Sequence, residues 1–154
     1  MIYFDNAATS LHKPKSVALA VYDAINTLGN SGRGADGPSL EAARVAFETR
    51  QALAQLFGIR DCSRIAFTSN ATESLNMAIK GLIQPGDHII TTQWEHNSVL
   101  RPLFELENKG VELTMVKSDP FGRICLSSVE HSIQDNTRAI ICTHSSNVTG
   151  NVLD

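Results

Sequence analysis

Apolar positions recur with two different periods along this chain, and the change of period divides it. From Lys15 to Leu28 the residues Val17, Leu19, Ala20, Val21, Ala24, Ile25 and Leu28 follow helical spacing, with Pro14 where a helix start tolerates a missing N–H. A second helix is predicted from Leu40 to about Phe57, with Gly58 just past its end, and Gly29 to Pro38 forms a glycine-rich loop between the two. Beyond it, short apolar or β-prone runs stand at Ile65 to Thr68, His88 to Thr92, Glu112 to Val116 and Arg138 to Thr143. Their spacing, roughly 22 to 26 residues, is that of a short βα unit.

The segments between those runs carry helix signals. Asn70 is placed to cap a helix from Ala71 to Ile83, with Glu73 three positions on, Leu75, Ile79, Leu82 and Ile83 as its buried stripe, and Pro85-Gly86-Asp87 to end it. Ser98 to Asn108 is predicted as a second crossover helix, and Ser127 to Glu130 opens a third with capping-box spacing. Strands alternating with helices give parallel pairing and right-handed crossovers, so the expected class is α/β, a three-layer α/β/α arrangement on a mostly parallel sheet. The expected division is an N-terminal arm, helix and glycine-rich loop over 1–38, followed by the α/β domain over 39–154.

Composition narrows the function classes. A net charge of −3, with 13 basic residues scattered rather than clustered, argues against nucleic-acid binding. No apolar run approaches a membrane span, and the first residues lack a signal-peptide pattern, so the chain is expected to be cytoplasmic. Cys62, Cys125 and Cys142 form no CxxC pair, which fits a reducing compartment. Cys142, in an apolar run, is expected to be a buried small hydrophobe. Cys142 and His144 lack the second ligand pair that a metal site needs, and no metal is expected.

Gly32-Arg33-Gly34-Ala35-Asp36-Gly37 spells the dinucleotide fingerprint GxGxxG, but a helix precedes it and Pro38 follows it. The fingerprint requires a strand before and a helix immediately after, so that a pyrophosphate rests on the helix N-terminus. The segment is read instead as a mobile covering loop.

Chemistry-bearing residues collect after three of the predicted strands: Ser69 to Glu73, Glu95 to Ser98, and Ser146 to Gly150. A parallel sheet brings such turns to one edge, where α/β proteins bind ligands. The first turn offers helix N–H groups and the Thr72 hydroxyl to a phosphate, with ordinary capping by Ser69, Asn70 and Thr72 as the plain alternative. His96 offers a ring for stacking or proton transfer, or a surface histidine. Asn147 offers both a donor and an acceptor, or a turn residue before Gly150.

These segments, together with Tyr3-Phe-Asp-Asn-Ala-Ala-Thr9, Gly32-Arg-Gly34, Gly86-Asp-His-Ile-Ile90 and His144-Ser-Ser-Asn-Val-Thr-Gly150, resemble the N-terminal part of the cysteine desulfurases, in the class V aminotransferase group of pyridoxal-phosphate enzymes. The resemblance implies the large domain of a fold-type I enzyme, usually a homodimer, with pyridoxal 5'-phosphate as cofactor. Ala71 and Thr72 would bind its phosphate, His96 would stack on its ring and assist proton transfer, and Asn147 would bond to its ring oxygen and approach the substrate carboxylate. Asn6, Ala7 and Ala8 would lie near the substrate. The implied reaction takes sulfur from L-cysteine, giving alanine and an enzyme persulfide that is passed to an acceptor protein, as in iron–sulfur cluster assembly. By the same resemblance the Schiff-base lysine, the sulfur-accepting cysteine, the aspartate for the pyridine nitrogen and the carboxylate-binding arginine follow Gly150. This chain is therefore expected to be an incomplete N-terminal portion, inactive alone. The alternatives are a selenocysteine lyase or transaminase of the same group, or a non-catalytic scaffold with the same fold.

Overall fold

The computed structural model describes residues 2–6 and 9–153, and the chain divides into two compact units, Met1–Phe67 and Thr68–Asp154. The division falls after Phe67, whereas the sequence reading set it after Pro38. The reason is local: Arg50 donates from Nε to the Ile65 carbonyl at 3.1 Å and its guanidinium lies 5.1 Å from the centre of the Phe67 ring. The second helix thereby keeps residues 62–67 with it.

In the first unit α1 spans Lys15–Thr27 and α2 spans Gly37–Leu56. The start of α2 lies three residues before the predicted one because Asp36 caps it, accepting from the Ser39 amide at 2.8 Å, with Pro38 in the first turn. A Cβ on Gly34 would sit 2.7 Å from that of Ser39, so this position needs glycine for close approach. With the Gly29 amide bonded to the Pro38 carbonyl at 3.0 Å, the glycine-rich loop is folded back on the α2 start. The run Ile65 to Thr68 is not a strand. A 3₁₀ turn, Cys62–Arg64, precedes it, Ile65 is extended, and the run has no ladder partner among the described residues. β-prone composition makes a strand only where a neighbour accepts its backbone hydrogen bonds.

The second unit carries β1 (His88–Thr92), β2 (Glu112–Val116) and β3 (Thr137–Ile141) in the order β2-β1-β3, all parallel. Helices α3 (Ala71–Leu82), α4 (Asn97–Glu107) and α5 (Leu126–His131) accompany them. The register aligns Ile89 with Leu113 and Ala139, and this row faces Ile79, Ile83, Val99, Leu103, Leu106 and Val111 in the core. On the opposite face buried His88 links all three strands, Nδ1 to Thr137 Oγ1 and Nε2 to Thr114 Oγ1, both at 2.8 Å. Both ring nitrogens are thus satisfied, as burial demands. Helix α5 begins at Leu126 with Cys125 at its cap position and no side-chain cap, so the capping box expected from Ser127 and Glu130 does not form; the Ser127 hydroxyl lies 3.0 Å from the Cys125 sulfur instead. No helix among the described residues is long and apolar enough to cross a membrane.

Candidate functional site

The α3 start is built around Asn70, whose Oδ1 accepts from the Glu73 amide at 2.9 Å. Glu73 reaches back to accept from the Ser69 amide at 2.7 Å, and this bond, with the Ser69 hydroxyl, holds its carboxyl below the usual carboxylate range. The amides of Ala71 and Thr72 have no acceptor among the described residues. A capped helix start with two free N–H groups and the positive end of the helix dipole suits an anion.

His96 occupies the N-cap position of α4. Its Nδ1 accepts from the Ser98 amide at 3.1 Å and lies 2.9 Å from the Ser98 hydroxyl. With the Nδ1 lone pair engaged by an N–H, the neutral ring carries its proton on Nε2. That nitrogen is free to face a ligand.

Thr72 and His96 line one cleft of about 450 Å³, together with Asn76, Asn97, Ser98 and Arg101. Arg101 is exposed and has no ion-pair or hydrogen-bond partner among the described residues, which makes it an available positive charge on that wall. The sequence reading passed over Arg101, although its spacing of four from Asn97 places both on one helix face.

Asn147 does not line this cleft. It sits on the exposed tip of the loop after β3, beside buried Ser146, whose Oγ accepts from the Val148 and Thr149 amides at 3.3 and 3.2 Å. Ser146 and Val148 instead line a neighbouring cleft with Trp94 and Glu95. The indole N–H of Trp94 is a buried donor without a partner among the described residues. Asn6 lies in the first unit, where its Oδ1 accepts from the Leu11 amide at 3.4 Å; Ala7 and Ala8 lie outside the described residues.

Glu95 falls within the segment the sequence singles out, but its role was not foreseen. It is 7% exposed and accepts three hydrogen bonds: from the Thr92 hydroxyl at 2.7 Å, the Thr143 amide at 2.7 Å and the Thr143 hydroxyl at 2.9 Å. Two of the three donors stand 48 residues away, so no local pattern announced the role. Cys142, expected to be buried, is exposed, because it lies just past the end of β3 at the sheet edge. Partial desolvation, then the Glu95 carboxylate, push its thiol above the ordinary range. No three described His, Cys, Asp or Glu side chains converge as a metal site would require.

Comparison with known proteins fits this geometry. The chain is 34% identical to the cysteine desulfurase IscS of Vibrio vulnificus over 99% of its own length and 39% of the relative's. It superimposes on the apo cysteine desulfurase of Thermococcus onnurineus with a TM-score of 0.90 at 35% identity, over 99% of this chain and 39% of that one. A structure of SspA in complex with cysteine gives 0.85 at 29% identity, over 99% and 45%. The chain thus spans about two fifths of the length of the relatives it matches. The aminotransferase class-V family model matches residues 2–154, and the chain belongs to that family.

Proposed function

We propose that this chain supplies the phosphate-holding and ring-stacking side of a pyridoxal-phosphate-dependent cysteine desulfurase. The observation that carries the reading is the pairing, on one cleft, of the α3 start with its free Ala71 and Thr72 amides and the His96 ring with a free Nε2–H. This donor set fits a phosphorylated aromatic cofactor: backbone amides and a hydroxyl for the phosphate, an imidazole for the ring.

Bound there, pyridoxal phosphate supplies an electron sink for the electron pair released at the substrate's α-carbon. The chain's own residues bind and orient. Ala71 and Thr72 would donate to the phosphate, and Arg101 would add positive charge to the same wall. His96 would cover the ring and move a proton at Nε2. Asn147 would donate its side-chain amide to the ring oxygen and approach the substrate carboxylate. The net reaction converts L-cysteine and an enzyme thiol into alanine and an enzyme persulfide, whose outer sulfur passes to an acceptor protein. The thiol and the Schiff-base lysine belong to sequence other than this chain's cysteines and lysines, none of which stands in a motif position for either role. A cytoplasmic homodimer serving iron–sulfur cluster assembly completes the reading.

The test is an assay of the native polypeptide that carries this chain, with L-cysteine and added pyridoxal phosphate, for alanine and sulfide formed under a thiol reductant. Stoichiometric alanine and sulfide are expected. Alanine from selenocysteine alone marks a selenocysteine lyase, amino-group transfer without sulfur release marks a transaminase, and no turnover with either marks a non-catalytic member of the fold.

A further inference from the structure

We propose that Glu95 is a positioning residue that sets the spacing between the turn carrying His96 and the loop carrying Asn147. The β1–α4 turn and the exit of β3 emerge from neighbouring parallel strands, and the ladder ends with the pairing of Thr91 and Ile141. Beyond that point no backbone hydrogen bond among the described residues holds the two turns together. Side chains do, one at the last rung and one past it. Thr91 Oγ1 donates to the Ile141 carbonyl at 2.9 Å, inside the sheet, and Glu95 takes the Thr143 amide and hydroxyl just outside it. The Thr92 hydroxyl accepts from the Trp94 amide at 3.3 Å while donating to Glu95, so the turn leading to His96 is fastened to the same carboxylate.

From Thr143 the restraint continues toward Asn147. The Leu153 amide bonds to the His144 carbonyl and the Ser146 amide to the Asn151 carbonyl, both at 2.8 Å, and the Ser146 hydroxyl closes the tip. The loop is therefore a braced unit standing on Thr143. Glu95 is adjacent in sequence to His96 and bonded to the base of the Asn147 loop, but touches neither side chain's ligand-facing atoms. A carboxylate suits the place because all three converging groups are donors and it accepts without donating. Loss of such a support displaces ligand-holding groups by fractions of an ångström, which is enough to weaken binding.

The test uses the native polypeptide with Glu95→Ala and Glu95→Gln and two readouts. The first is amide hydrogen exchange, which needs no cofactor. Glu95→Ala is expected to speed exchange about ten-fold at residues 96–98 and 143–149 while residues 112–116 change by less than about two-fold. Glu95→Gln keeps Oε1 for Thr92 and the Thr143 amide and lets the Thr143 hydroxyl turn to accept, so exchange stays within about three-fold of wild type. Unchanged exchange in Glu95→Ala, or a uniform rise that includes 112–116, overturns the proposal.

The second readout rests on the cofactor reading above: dissociation constants for pyridoxal phosphate and for inorganic phosphate. Glu95→Ala is expected to raise the first about ten-fold and the second less than about two-fold, because the phosphate cradle belongs to α3, while Glu95→Gln restores the first to within about three-fold. Equal losses for both ligands, or no rescue by glutamine, overturn the positioning role. If the wild-type protein binds no pyridoxal phosphate, the cofactor reading fails and the exchange pattern alone decides the role of Glu95.

Discussion

Helices α1 and α3 both carry apolar stripes, yet no residue of the first is fully buried while the second anchors a core. Ile25 of α1 is 78% exposed and no residue of that helix is buried, whereas Ile79 of α3 is 3% exposed and Leu103 of α4 is fully buried. The difference is in partners rather than in pattern. Strands β1 to β3 and α4 lie in the same unit as α3, and their apolar rows meet its stripe. A helical stripe specifies the element; burial requires a complementary surface, and an isolated helix of this length is marginal in water. The helix starts differ in the same way. Asn70 caps α3 with its side chain, while Pro14 gives α1 no side-chain cap.

The largest effect should come from breaking the packed side of this contrast. Leu103→Ala is expected to destabilise the second unit by about 2–5 kcal/mol, while Ile25→Ala changes stability by less than about 0.5 kcal/mol, both read from urea unfolding. Comparable losses would mean that α1 is packed as well as α4. Next is the cap: Asn70→Ala should cost about 1 kcal/mol, against no measurable cost for Pro14→Ala, because only the former leaves a helix amide without its side-chain acceptor.

A subtler effect concerns pH. Glu105 accepts from Lys109 and Lys80 at 2.7 and 2.5 Å, the latter pair joining α4 to α3. These bonds, the Lys109 one first, and the two positive charges lower its carboxyl from 4.5 to about 2. A lowered folded-state value means the contribution is present above pH 4.5 and is lost as the pH falls toward about 2. Acid titration of unfolding should therefore show a decline over that window that Glu105→Gln flattens. An identical decline in the variant would assign it to other carboxylates.

The smallest effect is in thiol reactivity. The Ser127 hydroxyl, then the Ser128 and Ser127 amides, lower the Cys125 thiol, whereas burial and Glu95 raise that of Cys142. Alkylation by iodoacetamide should set in at lower pH for Cys125 than for Cys142, and the reverse order would contradict the surroundings described for both.

The sequence was legible where a pattern repeats locally. The runs at His88 and Glu112 are strands with the predicted bounds, and the third begins one residue earlier and ends two earlier than expected. It failed where the answer lies elsewhere in the chain. The run at Ile65 has strand composition but no ladder neighbour, and Cys142 follows apolar residues yet stands past the last rung of an edge strand. His96 was readable as a strand-end residue and Thr72 as a helix-start residue, and the two share a cleft; Arg101 needed the helix face, and the Glu95 contacts needed a partner 48 residues away. The GxGxxG letters follow a helix, α1, as expected, but α2 opens at their last glycine, with Asp36 as its cap, where the sequence reading took Pro38 to rule out a helix.

The most direct test of the central claim, that Thr72 and His96 form one cofactor cradle, is a titration of pyridoxal phosphate onto the native polypeptide followed by absorbance. Thr72→Ala and His96→Ala should each raise the dissociation constant about ten-fold, the equivalent of one lost hydrogen bond or ring contact. Arg60→Ala, in a separate cleft of the first unit, should leave it unchanged. Affinity untouched by Thr72→Ala and His96→Ala, or weakened as much by Arg60→Ala, would contradict the account.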